Sequence, residues 1–470
     1  MEFSKPLGVT HTSIPGLLFF DLPVHGDNRG WFKENWQREK MLALGLPDFG
    51  PVQNNISFNE KAGTTRGIHA EPWDKYVSVA AGKIFGAWVD LREGPSFGAV
   101  FTAELDPSQA VFVPRGVGNA FQTLEDGTAY AYLVNDHWSE AAQAQYTFLN
   151  LADETVGIRW PIPLSQAELS AKDEAHPRLS DVVPMAEKKI LVLGADGQLG
   201  KALRAFYASD SRVEFAGRAE FDLRDAQSFS GRRWQDYSVI INAAAYTAVD
   251  AAEHQEGRAD AWAINTGAVA SLAKFALEHD VTLVHVSSDY VFDGTAVEHH
   301  EDEAFSPLGV YGQTKAAADA LVSVLPRHYI VRTSWVVGEG KNFVRTMANL
   351  ARQGIQPAVV DDQIGRLSFT DELARGIAFL LSEAAPFGTY NLSNDGPPSS
   401  WAELAAAVYE GLGKSRTEVR GISSEEYAAG KQLAPRPINS TLSLDKIKAL
   451  GFEPRDQRAA LADYLKNLQN

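Results

Sequence analysis

From the N-terminus to about residue 165, apolar and polar positions alternate in short runs interrupted by turn residues. KYVSVAAGKIFGAWVDLR (75–92), AVFVPRG (110–116) and TAYAYLVNDHW (128–138) are examples. Alternation places every second side chain on one face of a strand, and strands at this spacing predict a sandwich or small barrel. From residue 189 the texture changes. Apolar stretches KILVLG, YSVIINAAA, VTLVHVSS and HYIVRTS alternate with helical ones such as NTGAVASLAKFALEHD. That order predicts a parallel sheet covered by helices on both faces. The segment DEAHPRLSDVVPMAEKK (173–189) has two prolines and mixed charge and joins the two parts. A boundary near residue 184 gives two domains, 1–184 and 185–470.

A length of 470 residues fits this division, because a single core seldom grows so large. The formal net charge of -17 argues against a general nucleic-acid surface, which needs a basic excess to displace counterions. The absence of cysteine excludes disulfides, thiolate metal sites and cysteine nucleophiles. MEFSKPLGVTHTSIPG lacks the basic-then-apolar pattern of a leader, and no apolar run approaches membrane-spanning length. The expectation is a cytoplasmic protein without membrane or nucleic-acid partners.

The C-terminal part opens with ILVLGADGQLGKAL (190–203). Gly194 permits a tight turn, Gly197 lets backbone approach a pyrophosphate, and Gly200 lets the helix sit close to the strand. An acid at the end of the second strand normally reads an NAD ribose. Glu214 falls inside that strand, and the strand end offers Gly217 and Arg218. As a partner for a 2′-phosphate, Arg218 favours NADPH; as a solvated surface arginine it leaves NADH open. Tyr311 and Lys315 in YGQTK share one helix face at i, i+4. A nearby ammonium is expected to lower the phenol pKa, suiting tyrosine to exchange a proton with a carbonyl oxygen during hydride transfer. Ser288 ends VHVSS, where its hydroxyl can bond the same oxygen.

In the N-terminal part the chemistry gathers in TTRGIHAEPWDKYVSV (64–79). A hairpin with a three-residue loop at 71–73 would make His69 and Lys75 directly opposed partners on one face; a two-residue loop would pair His69 with Tyr76. No His-x-His occurs, so no metal is expected. Deprotonation beside a carbonyl is the alternative. It needs a base, a cation for the enolate oxygen and an acid on the far face, roles that His, Lys and Tyr can fill.

NAAAYTAVDAAE (242–253), VSSDYVFDG (286–294), YGQTK, VRTSW (331–335), DDQIGR (361–366) and APRPINSTL (434–442) together resemble dTDP-4-dehydrorhamnose reductase, an extended short-chain dehydrogenase. The resemblance spans about 188–470. It implies a Rossmann fold with a small substrate-binding subdomain, and reduction of the C4 ketone of a nucleotide-linked deoxyhexose. It also implies cofactor contacts at Gly194, Gln198, Leu199, Gly200, Asp222, Leu223, Ala243, Ala244 and Lys315. Ser288, Tyr311 and Lys315 become the catalytic set, with Val249 and Trp335 lining the sugar pocket. Asp196 stands where that family often has asparagine or threonine, beside the phosphates.

HGDNRGWFKE (25–34), VQNNIS (52–57), RGIH (66–69), KYV (75–77), VDLR (89–92), VPRG (113–116), YLVNDHW (132–138), IRWP (158–161) and LSAKD (169–173) resemble dTDP-4-dehydrorhamnose 3,5-epimerase over about 7–181. The resemblance implies a cupin-like jelly roll, commonly dimeric through the barrel. His69 becomes the base, oriented by Asp173; Lys75 stabilises the enolate and Tyr132 is the acid. Arg29, Glu34, Asn55 and Arg66 would hold the nucleotide diphosphate. Asn119 stands where that family has histidine, and Gly86 where it has aspartate. The two resemblances together imply a bifunctional enzyme. It would epimerise C3 and C5 of a dTDP-4-keto-6-deoxyhexose and reduce C4 with NADPH to dTDP-L-rhamnose. A different nucleotide or sugar, or a regulatory protein with one inactive domain, are the alternatives.

Overall fold

The computed structural model describes residues 3–469. The chain divides into two compact units, residues 1–187 and 188–470.

The first unit is a two-sheet antiparallel jelly-roll barrel. One sheet runs in the order Gly8–His11, Leu18–Asp21, Gln109–Val113, Lys75–Ala81, Thr128–Val134, Gln53–Asn59. The other runs Thr147–Phe148, Thr65–Ala70, Val117–Thr123, Ile84–Asp90, Val100–Leu105. Alternation sorts the side chains among three apolar layers. Val77, Val79, Val111 and Tyr130 from the first sheet meet Trp88, Val117 and Phe121 from the second between the sheets. The outer face of the first sheet (Phe20, Tyr76, Phe112) is covered by Leu22, Met41, Leu46 and Phe49. The outer face of the second (Ile68, Ala87, Val89) is covered by Leu149, Leu151, Val182 and Met185. The strand Gln53–Asn59 is an edge; its outward Ile56 and Phe58 are 67% and 62% exposed.

The second unit is a doubly wound Rossmann-type sheet. Six parallel strands run Val213–Ala216, Lys189–Leu193, Tyr237–Asn242, Thr282–Ser288, His328–Thr333, Gly388–Asn391. Each of these strands except the edges is buried on both sides, by two separate apolar clusters. This is why they read as continuous rather than alternating runs. Strand order reverses between Lys189–Leu193 and Tyr237–Asn242, and the crevice beyond their carboxyl ends is the usual ligand position of such sheets. A third cluster, including Val337, Val344, Leu404 and Leu461, forms the core of the smaller C-terminal subdomain.

Candidate active sites

In the barrel, His69 sits on Thr65–Ala70, opposite Asn119 on one neighbouring strand and Phe148 on the other. Its Nε2 lies 2.8 Å from Asp173 Oδ1. Asp173 is buried in the short helix Ala171–Glu174, whose start is held by Ser170 Oγ accepting from Asp173 N. Burial opposes ionisation of Asp173, but hydrogen bonding and charge from His69 outweigh it and hold the carboxyl below its ordinary value.

The expected hairpin does not form. Lys75 begins a strand of the opposite sheet, paired with Val113 and Val134, so residues 71–74 cross from one sheet to the other. His69 and Lys75 are therefore not cross-strand partners; they belong to sheets that face one another. Lys75 Nζ lies 2.5 Å from Glu71 Oε1 and 5.2 Å from the centroid of the Tyr132 ring. Burial first, then the Glu71 charge, raise the Tyr132 pKa against the opposing charge of Arg66, which keeps the phenol protonated. Asn55 is the cross-strand partner of Tyr132. Arg66 Nε donates to Asn59 Oδ1 at 3.2 Å, reaching from one sheet to the other. Rings link the two sides: His69 to Phe148 (5.6 Å), Phe148 to Tyr146 (5.8 Å), and Tyr146 beside Tyr132 and Trp73.

Arg29 and Glu34 are not brought into this group. They lie on and just beyond the separate hairpin Val24–Lys33, where Arg29 pairs with Asp27 and Glu34 with Lys40. Asn119 has a local reason: its Oδ1 accepts from the buried Tyr130 hydroxyl at 3.1 Å. So has Gly86, because a Cβ there would collide with the Trp88 ring. Two groups have no assigned role in the reading from sequence. Glu71 is the buried partner of Lys75, and His176 packs against the His69 ring at 5.3 Å. Both are polar residues whose burial depends on distant chain.

In the second unit, a cavity of about 890 Å³ opens at the crevice. Of the predicted residues it is lined by Gly194, Gly197, Gln198, Leu199, Arg218, Asp222, Leu223, Ala243, Ala244, Val249, Ser288, Tyr311, Lys315 and Trp335. Gly194 has φ +76°, and a Cβ there would lie 2.7 Å from Ala244 N. Gly200 lies beneath the turn, where a Cβ would strike Gly194 O, so its smallness serves helix–strand packing. Gly197 caps the helix Gln198–Phe206. Gln198 Oε1 accepts from Gly338 N at 2.9 Å. Glu214 is engaged inside its strand with Arg232 and Tyr237. Arg218 is largely exposed, 3.5 Å from Asp222. Asp196 turns its carboxylate against Gly217 at the end of the second strand.

Tyr311 and Lys315 lie on the helix Val310–Val322, and Ser288 ends the strand Thr282–Ser288. Ser288 Oγ donates to Asp289 Oδ1 at 2.9 Å. Lys315 Nζ donates to Val286 O (2.7 Å) and to His285 Nε2 (3.2 Å). The expected lowering of the tyrosine pKa is not seen. Burial pushes Tyr311 up to about 12, Asp289 adds to this, and the Ser288 hydrogen bond opposes it. Burial also brings Lys315 down to about 8 against the charge of Asp319. Desolvation and the acidic neighbours thus hold the phenol in its protonated form, and Tyr311 is a proton donor in this state. Trp335, at φ +44°, stacks on Trp401 with centroids 3.7 Å apart at the cavity wall.

Two family models match the chain: "dTDP-4-dehydrorhamnose 3,5-epimerase" over residues 11–181 and "RmlD substrate binding domain" over 188–470. A protein RmlC homolog from Streptococcus pyogenes is 53% identical, over 40% of this chain and 98% of that protein. A dTDP-4-dehydrorhamnose reductase from Aggregatibacter actinomycetemcomitans is 36% identical, over 58% of this chain and 97% of that protein. The crystal structure of the Bacillus anthracis dTDP-4-dehydrorhamnose reductase in complex with NADP is 29% identical. It superposes at a TM-score of 0.55 and covers 59% of this chain and 98% of that one.

Proposed function

Because the chain belongs to the dTDP-4-dehydrorhamnose 3,5-epimerase family through its first unit and to the dTDP-4-dehydrorhamnose reductase family through its second, we propose that it carries out two successive steps on one sugar. It is a fused epimerase and reductase of dTDP-rhamnose formation, and its reductant is NADPH. What supports the sequential reading is that each unit holds its own set of proton-transfer groups.

In the barrel, His69 is the base. With Nε2–H donating to Asp173, the free lone pair is on Nδ1, and Asp173 fixes that tautomer and stabilises the imidazolium formed when a proton leaves the sugar. Lys75, positioned by its ion pair with Glu71, stabilises the enolate oxygen derived from C4. Tyr132 returns a proton from the other face. Since C3 and C5 both flank the ketone, the same groups serve each carbon in turn. Arg66 and Asn55 border Tyr132 and are assigned to the diphosphate. Arg29 keeps this assignment only as an outward group on the hairpin, and Glu34 as one just beyond it.

In the second unit, the glycine turn, Gln198, Leu199, Asp222, Leu223, Ala243, Ala244 and Lys315 form a cradle that fits a dinucleotide, and side chains at Gly194 and Gly200 would distort the turn by striking backbone of Ala244 and Gly194. The bound cofactor supplies the hydride. Tyr311 gives its proton to the C4 oxygen, Ser288 turns its hydroxyl from Asp289 to donate a hydrogen bond to the same oxygen, and Lys315 is anchored beneath by Val286 O. Val249 and Trp335 face the sugar. Arg218 is assigned to the 2′-phosphate, which favours NADPH over NADH.

A homodimer through the barrel and a cytoplasmic setting belong to the same proposal. The exposed, unpaired edge Gln53–Asn59 with Ile56 and Phe58 supports the first. No helix among the described residues is long and apolar enough to cross a membrane. The test is product identification. The intact chain with dTDP-4-keto-6-deoxyglucose should consume NADPH without added epimerase and yield dTDP-L-rhamnose by NMR; no consumption at adequate enzyme would overturn the proposal.

A further inference from the structure

His69, Asp173 and His176 each offer one ligand atom, and these atoms lie within 4.8 Å of one another. Asp173 Oδ1 is 2.8 Å from His69 Nε2 and 3.9 Å from His176 Nε2. His176 is 9% exposed, is stacked on Phe148 at 4.7 Å, and neither ring nitrogen has a hydrogen-bond partner within 3.5 Å, although the Gly67 backbone acts on the ring electrostatically. A buried imidazole with both nitrogens unsatisfied is uncommon, and the proton-transfer scheme above gives this one no role.

We propose that the substrate-free barrel binds one divalent cation of the zinc class through His69, Asp173 and His176, and that the bound ion stops epimerisation. Two imidazoles and one carboxylate suit a borderline ion and not magnesium or calcium, which prefer oxygen ligands. A tetrahedral zinc with bonds of about 2.0–2.1 Å separates its ligand atoms by roughly 3.3 Å. That value falls between the two separations seen here, so small side-chain rotations complete the site, with water in the fourth position.

Inhibition follows from proton placement. Zinc takes the Nε2 lone pair of His69, so the ring proton moves through solvent from Nε2 to Nδ1. The nitrogen that would accept the sugar proton then carries one. No bond of the sugar is made or broken, and removal of the ion restores the original tautomer. This inhibition rests on the reading of His69 as the base, whereas zinc binding itself does not.

The test uses the untagged full-length chain, zinc chloride and two variants, His176→Ala and His176→Phe, the second preserving the stacked ring. Calorimetry should find one more zinc site in the wild type than in either variant. As that site fills, solvent deuterium incorporation into the sugar at C3 and C5 should fall at least tenfold and return with EDTA. The variants should keep their metal-free exchange rate and need at least tenfold more zinc for the same inhibition. Equal zinc stoichiometry in all three proteins would overturn the site. A filled site with undiminished exchange would overturn the inhibition. Absent exchange in metal-free wild type would instead count against His69 as base, and calorimetry would still decide the site.

Discussion

Replacing Asp173 by asparagine isolates the orienting half of the barrel's base. The side chain keeps its shape, and the helix start is unaffected because Ser170 bonds the backbone nitrogen of residue 173. What is lost is a buried, charge-assisted hydrogen bond of 2.8 Å to His69. Such a bond contributes about 1.5–3 kcal/mol, and it strengthens as imidazolium forms. Expressed in the rate, this is roughly 10- to 150-fold. The amide also stops fixing the tautomer, since it can donate as well as accept. The combined effect should be a fall of about 10²–10³-fold, within the usual range for positioned acid–base groups. The assay is deuterium incorporation from D2O at C3 and C5, followed by NMR without NADPH, so that the second unit is silent. Reduction of a substrate epimerised beforehand should stay within about twofold in the same protein. A threefold or smaller loss of exchange would refute the assignment of His69 and Asp173 as a working pair.

Tyr311→Phe should lower NADPH consumption by about 10²–10⁴-fold while fluorescence titration still shows dinucleotide binding and the barrel still exchanges deuterium; preserved turnover would remove Tyr311 from the proton path. Asp289→Asn should change the pH dependence of stability. Burial pushes Asp289 up to about 6 from an ordinary 3.8, against hydrogen bonds from Ser440 and Ser288. Between those two values the folded state binds more protons than the unfolded state, so wild-type stability falls as pH rises through this window and then levels off. The variant lacks that penalty. Its melting temperature relative to wild type should therefore rise from pH 4 to pH 7, by the equivalent of up to on the order of 3 kcal/mol. A difference flat in pH would refute the buried-acid argument.

The features legible in the sequence are those carried by short-range geometry. Gly194, Gly197 and Gly200 act within one turn, and Tyr311 and Lys315 within one helical repeat, so spacing alone placed them. Strands such as Lys75–Ala81 and Ile84–Asp90 were legible from alternation. The relation of His69 to Lys75 was not. A short loop satisfies a hairpin locally, and the crossing is decided by partners far along the chain, Asn119 and Phe148 for one strand and Val113 and Val134 for the next. The electrostatics of Tyr311 failed for a related reason. Spacing reveals a nearby ammonium, whereas desolvation depends on everything packed around both groups. The pairing of Glu71 with Lys75 and the burial of His176 were not legible, because charged and polar residues are read as surface until a fold encloses them.

Gly86 and Trp88 also constrain what this barrel can become. The indole is fully buried and fills the space that any side chain at residue 86 would occupy. Placing an aspartate there in one step meets the ring, while shrinking Trp88 first leaves a hole costing about 3–5 kcal/mol. Either single change crosses a deep stability valley, and only a paired exchange avoids it. The two residues are thus sterically coupled. Any engineered route to an acidic residue at position 86 must change Trp88 as well.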